Sequence, residues 1–215
     1  MSLTLVIGNK NYSSWSLRPW LAMKQAGLAF DEVRIPLARP ETTAQILRYT
    51  PSGRVPCLID GALAVWDSMA ICEYVNEQYA GGSLWPHDVG RRARARSVAA
   101  EMHSGFTALR AHLPMDIRAH RPDKGEAALA RAQVAAEVAR IHGLWSDCLS
   151  AHGGPFLFGG FSIADAFFAP VVTRFRTYAI PLSAPLARYS DAVFALPAMR
   201  QWEASAAVEP ETIED

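Results

Sequence analysis

VPCLIDGALAVWDS, residues 55–68, holds two short apolar runs meeting at Asp60-Gly61. An Asp-Gly pair between such runs is a strong short-range hairpin signal, so VPCLID (55–60) and ALAVWD (62–67) are predicted to form an antiparallel pair. Ser68 then stands as an N-cap before SMAICEYVNEQYA, a helix stopped by Gly81-Gly82. Upstream, LTLVI (3–7) reads as a buried strand, and residues 17–26 are helix-favouring with Gly27 as the stop. FDEVRIPL (30–37) alternates as a second strand, and a short helix fits 41–48. The order β-α-β-(α)-β-β-α makes the first two strands parallel and the last two antiparallel.

After GGSLWPHD (81–88), which has linker chemistry, only helical patterns follow: 90–113, 125–151, 162–179, 185–195 and 198–207. Ser162 and Asp165 are spaced as a capping box, with Phe161 at the staple position. Strands followed by helices predict an α/β domain and then an all-α one.

The 215 residues carry a formal net charge of zero and are half hydrophobic, a globular composition with no global field for nucleic acid or an anionic membrane. The one basic cluster, GRRARAR (90–96), reads as a solvated helical face. Cys57, Cys72 and Cys148 show neither CxxC nor metal-ligand spacing, which argues against a disulfide scaffold, a dithiol redox site and a zinc site. No basic-then-apolar leader opens the sequence and no apolar run reaches membrane-spanning length, so a cytoplasmic protein is expected.

Between the first strand and the first helix lies YSSWSLRPWL (12–21). Pro19 is tolerated best in a first turn, which favours Ser16 as the N-cap, with a start at Ser14 as the alternative. SSWSLR (13–18), Gly53-Arg54-Val55-Pro56, Asp67-Ser68 and FSIADAFFAP (161–170), in this order and spacing, resemble the cytosolic glutathione transferases, and the serine-type motif is most similar to their zeta class. The resemblance implies a thioredoxin-like glutathione-binding domain over 1–80, a linker over 81–89 and an all-helical domain over 90–215 that supplies the electrophile site. It also implies glutathione as co-substrate, a small electrophilic second substrate and a homodimer.

Each motif carries a chemical expectation. Glutathione reacts as a thiolate, and a free cysteine thiol has a pKa of about 8.5, so a hydroxyl at the positive end of a helix is the means of holding the anion. Ser13 is the first choice for that donor and Ser14 the second, against the reading that both serve only as caps. Arg18 would add to the field at the sulfur or fix the turn. Val55-Pro56 resembles the family's cis-proline turn, whose backbone holds the cysteinyl unit; Arg54, with Arg39 and Gln45 behind it, would reach the glycyl carboxylate. Asp67 would meet the ligand's ammonium and Ser68 its γ-glutamyl carboxylate.

Trp15 stands where the zeta pattern has cysteine, which counts against maleylacetoacetate isomerase chemistry, and it either walls the pocket or joins the core. His103, Phe106 and Arg174 are expected at the second-substrate pocket; Thr177 falls where zeta enzymes place an arginine, and Arg176 is the other arginine near it. The cysteines read as structural. Three functions remain open: a glutathione transferase, a glutathione-dependent isomerase or peroxidase, and a non-catalytic module that binds glutathione or a protein.

Overall fold

The computed structural model describes residues 3–213. It opens with β1 (Leu3–Ile7), α1 (Ser14–Gln25), β2 (Phe30–Arg34), α2 (Thr42–Ile46), β3 (Cys57–Asp60), β4 (Leu63–Trp66) and α3 (Ser68–Gln78). The sheet order is β2-β1-β3-β4. β1 runs parallel to β2, with Leu5 opposite Glu32, and antiparallel to β3, with Leu5 opposite Leu58. β3 and β4 form the expected hairpin.

β1 reads as a nearly continuous apolar run because both its faces are covered. Leu3, Leu5 and Ile7 join Leu17 and Leu21 of α1 and Ile71 and Val75 of α3 in one cluster. Val6 turns the other way, onto Ile35, Ile46 of α2 and Cys57. A mixed four-stranded sheet between helices is the thioredoxin-like arrangement.

Seven helices follow: α4 (Val89–Ser104), α5 (Thr107–His112), α6 (Pro122–Leu129), α7 (Ala132–His152), α8 (Ile163–Thr177), α9 (Ala184–Ala195) and α10 (Pro197–Ala207). α8 is buried along almost its whole length and packs against both α1 and α4. Its capping box is present, with Asp165 accepting the Ser162 N–H at 2.8 Å. The basic face of α4 is solvated as expected, and Asp88 caps its N-terminus through the Arg91 N–H at 2.8 Å, which places a carboxylate among the cations there.

Two helices expected to be continuous are broken. The predicted 90–113 segment divides at Gly105 and Phe106, where Phe106 adopts a left-handed φ of 57°. Arg110 then folds back to donate to the carbonyls of Met102, His103 (3.1 Å) and Gly105 (2.8 Å), which satisfies the end of α4 with a cation suited to a helix C-terminus. The predicted 125–151 segment is α6 and α7, separated at Ala130 and Arg131.

Candidate functional site

Helix α1 begins at Ser14, the alternative start, and not after the Ser16 cap that Pro19 favours. Ser13, not Ser16, is the N-cap, and its side chain accepts the Ser16 N–H at 3.3 Å. Pro19 therefore sits in the second turn, inside the helix. Ser16 is wholly buried; its Oγ accepts the Gly8 N–H at 3.1 Å and lies 2.7 Å from Ser13 Oγ. Ser13 and Ser14 are both buried, and Ser14 Oγ makes no hydrogen bond among the described residues.

The cap of α3 is likewise one residue earlier than expected. Asp67, with φ 75°, is the N-cap and accepts the N–H groups of Met69 (2.8 Å) and Ala70 (3.2 Å). A positive φ at a non-glycine residue is a strained position, and such strain tends to sit at functional sites. Ser68 becomes the first helical residue. It is 1% exposed, and its hydroxyl has no hydrogen-bond partner among the described residues. Unpaired buried hydroxyls are uncommon and ask for an explanation.

The Val55–Pro56 peptide bond is cis. Its turn and the start of α3 face each other across a cleft of about 470 Å³ lined by Trp15, Ser52, Arg54, Val55, Pro56, Trp66, Asp67 and Ser68. Six of these were expected from sequence. Ser52 and Trp66 were not, although Trp66 directly precedes Asp67 at the end of β4. Ser13 and Ser14 occupy the same turn as Trp15, but they do not line the cleft. Arg39 is exposed and Gln45 half-buried, and neither reaches the lining.

Trp15 forms the cleft wall, and its ring is flanked by two cations. The Arg18 guanidinium lies 4.3 Å from its centroid and that of Arg110 4.8 Å. Arg18 also stacks 4.7 Å from Phe167. It is 1% exposed, its Nε and Nη1 lack partners, and it forms no salt bridge among the described residues. Burial pushes the Arg18 pKa well below the usual arginine value, and repulsion from Arg110 and Arg174 adds to this. Two faces of aromatic contact partly offset the cost of burying this charge.

The remaining expected residues have other partners. His103 Nε2 lies 3.3 Å from Asp67 Oδ2, and its ring meets Trp15 edge-on at 5.4 Å. Burial lowers the His103 pKa, with Arg18 and Arg110 acting in the same direction and Asp67 opposing. His103 thus backs the cap of α3 and does not line the cleft. Phe106 is buried at the α4–α5 break. Arg174 is 4% exposed and donates to the carbonyls of Leu113 (2.9 Å) and Pro170 (3.2 Å), so its donors hold backbone and do not face the cleft. Burial brings its pKa down to about 10, and Arg110 contributes. Arg176 pairs with Glu203 on the surface, and the Thr177 hydroxyl donates to the Asp116 carbonyl at 2.9 Å. Cys57, Cys72 and Cys148 are buried free thiols.

Residues 12–78 match the family model described as "Glutathione S-transferase, N-terminal domain". The chain carries a glutathione S-transferase N-terminal domain. Beyond that segment, it is 26% identical to the glutathione S-transferase Z2 of Arabidopsis thaliana over 201 residues, covering 89% of this chain and 88% of the plant protein. A dichloromethane dehalogenase of Methylorubrum extorquens is 38% identical over 65 residues, but that match spans only 29% of this chain and 23% of the dehalogenase. Among solved structures, a glutathione transferase homologue from Burkholderia with bound glutathione shares the fold at a TM-score of 0.69 and 24% identity, over 96% of this chain and 99% of that one. Over most of its length the chain is thus similar to a glutathione S-transferase, and Ser13, Pro56 and Ser68 fall inside the matched domain. No helix among the described residues is long and apolar enough to cross a membrane.

Proposed function

We propose that this protein is a glutathione transferase that binds glutathione in the Trp15–Ser68 cleft with its sulfur directed to the adjoining turn before Trp15, holds the thiolate there by the Ser13 hydroxyl and adds it to a small electrophile. The observation that carries the reading is the cleft itself. It joins the cis Val55–Pro56 turn to the N-terminus of α3, where the Ser68 hydroxyl is unpaired among the described residues. Oriented amides and the positive end of a helix suit a carboxylate. Asp67 offers a negative charge for an ammonium, and the exposed Arg54 a positive one for a second carboxylate.

A hydrogen-bond relay favours Ser13 over Ser14 as the thiolate donor. Ser16 Oγ accepts the Gly8 N–H and lies 2.7 Å from Ser13 Oγ, which accepts the Ser16 N–H; either hydroxyl can donate in that pair, and the relay we propose has Ser16 donating. Ser13 then retains its own proton for the sulfur, and bonds in series polarise one another. The N-terminus of α1 and the unneutralised Arg18 add positive potential behind the turn. Residues 1–80 would form the glutathione-binding unit and 90–215 the helical unit facing the electrophile. Exposed Leu63 on the edge strand β4 supports a homodimer, because a bare apolar edge favours pairing.

The test is a pH titration of thiolate absorbance in the glutathione complex. A hydrogen bond to a charged group contributes about 1.5–3 kcal/mol, so Ser13→Ala should raise the bound thiol pKa by about 1–2 units. Ser14→Ala should leave it within about half a unit. Wild-type complex whose thiol titrates like free glutathione would refute the enzymatic reading.

A further inference from the structure

The loop that delivers Ser13 to its place is held from the far end of the chain. Within the loop, the Tyr12 and Ser13 N–H groups donate to the Asn9 carbonyl at 3.2 and 2.8 Å. The Lys10 and Asn11 N–H groups instead donate to the two carboxylate oxygens of Glu209, at 2.7 and 3.1 Å. Trp202 Nε1 donates to the Lys10 carbonyl at 2.9 Å. Asn11 is enclosed further: Nδ2 donates to Asp116 at 2.7 Å, and Oδ1 accepts the Arg118 N–H at 2.9 Å. Glu209 is only 7% exposed. Its segment is fixed by Arg118, which donates to the Glu209 carbonyl and to that of Glu211 at 2.7 Å, and by Arg34, which pairs with Glu211 at 2.9 Å.

We propose that Glu209 is a positioning residue for the thiolate site, clasping the 9–13 loop so that the Ser13 hydroxyl and the start of α1 keep a fixed relation to the cleft. The inference rests on the reading of Ser13 as thiolate donor. Two consecutive amides on one carboxylate make charge-assisted bonds that define the loop's path, and buried amides deprived of a partner rearrange to find another. Ser13 lies two residues beyond the second of those amides, so a shift there moves its hydroxyl. The Val55–Pro56 turn and Ser68 make no contact with Glu209 in this network, so recognition of the rest of glutathione is separable from it.

The experiment compares wild type, Glu209→Ala and Glu209→Gln for glutathione affinity and for the pKa of the bound thiol. Amide exchange across residues 8–14 gives a direct readout of the loop. Glu209→Ala should raise the thiol pKa by about one unit, a tenfold loss of thiolate at a given pH, while glutathione Kd changes less than about threefold. Glu209→Gln, which keeps one acceptor, should fall between and is the variant to use if the alanine protein does not fold. The sign is diagnostic: removing a negative charge near the sulfur would by itself lower the thiol pKa, whereas a loosened Ser13 raises it. Val193→Ala, a cavity in α9, should lower thermal stability without moving the thiol pKa, separating positioning from general destabilisation. A variant pKa that is unchanged or lower, with Ser13→Ala raising it, overturns the clasp alone. A wild-type thiol that titrates as if free overturns the Ser13 reading, and the positioning role falls with it even where exchange reports a clasped loop.

Discussion

Ser68→Ala should stabilise the unliganded protein and weaken its hold on glutathione. The Ser68 hydroxyl is buried without a hydrogen-bond partner, and a buried polar group left unmade costs about 1–3 kcal/mol. Because Asp67 is the N-cap of α3, alanine at the first helical position removes no cap and has the better helix propensity. The gain should be about 1–2 kcal/mol, or a melting temperature higher by about 2–8 °C for a chain of this size. Glutathione would lose a hydrogen bond from its carboxylate, about 1.5–3 kcal/mol, so Kd should rise roughly 10–150-fold. At glutathione concentrations about 100 times the wild-type Kd, ligand stabilises wild type by about 2.7 kcal/mol and the variant by about 0.3–1.4 kcal/mol. Thermal melts with and without glutathione, together with calorimetric titration, measure both quantities. A variant that melts lower and binds with unchanged Kd would make Ser68 a structural residue and refute the reasoning.

Gly125→Ala should cost about 2–3 kcal/mol or more, because an added Cβ would lie 1.9 Å from the Tyr178 carbonyl oxygen, and a denaturant melt reads the loss directly. Arg18→Met should leave stability unchanged or improved by removing a buried unpaired charge, yet raise the pKa of bound glutathione; a fall in that pKa would remove Arg18 from the thiolate field. His103 has a pKa lowered in the fold by burial, so the unfolded chain takes up the proton first as pH falls below about 6.5, and this contribution to stability is lost on acidification. His103→Gln should therefore lose less melting temperature than wild type between about pH 7.5 and 5.5. Burial raises the pKa of Cys57, Cys72 and Cys148, so iodoacetamide should label none of them rapidly until the protein unfolds.

Most of the architecture was legible because its signals are local. Strand β1 falls on LTLVI residue for residue, the Asp60-Gly61 hairpin forms, and α8, α9 and α10 begin and end within two residues of the apolar patterns that announce them. The errors share one cause. Pro19 pointed to Ser16 as a cap, but Ser16 is drawn inward by the Gly8 N–H of the preceding strand end, so the helix starts before it and accommodates proline in its second turn. Ser68 looked like a cap because serine is a good one, while Asp67 performs that role from a backbone angle that no local pattern reveals. The α4–α5 break is stabilised by Arg110 chelating the carbonyls of the turn before it, a contact that periodicity does not register.

By itself, then, the sequence determined the order of elements, the two-part α/β and helical composition, and the motif residues Trp15, Arg54, Val55, Pro56, Asp67 and Ser68 that meet at the cleft. These depend on turn chemistry, hydrophobic period and short motifs, all of which act over a few residues. The tertiary structure alone decided which serine caps and which is buried. It assigned Arg174 to backbone carbonyls and His103 to Asp67, and it brought Glu209 to the amides of Lys10 and Asn11. Those outcomes turn on unpaired polar groups finding partners across as many as 199 positions of chain, and a buried donor is satisfied by whatever the fold places beside it.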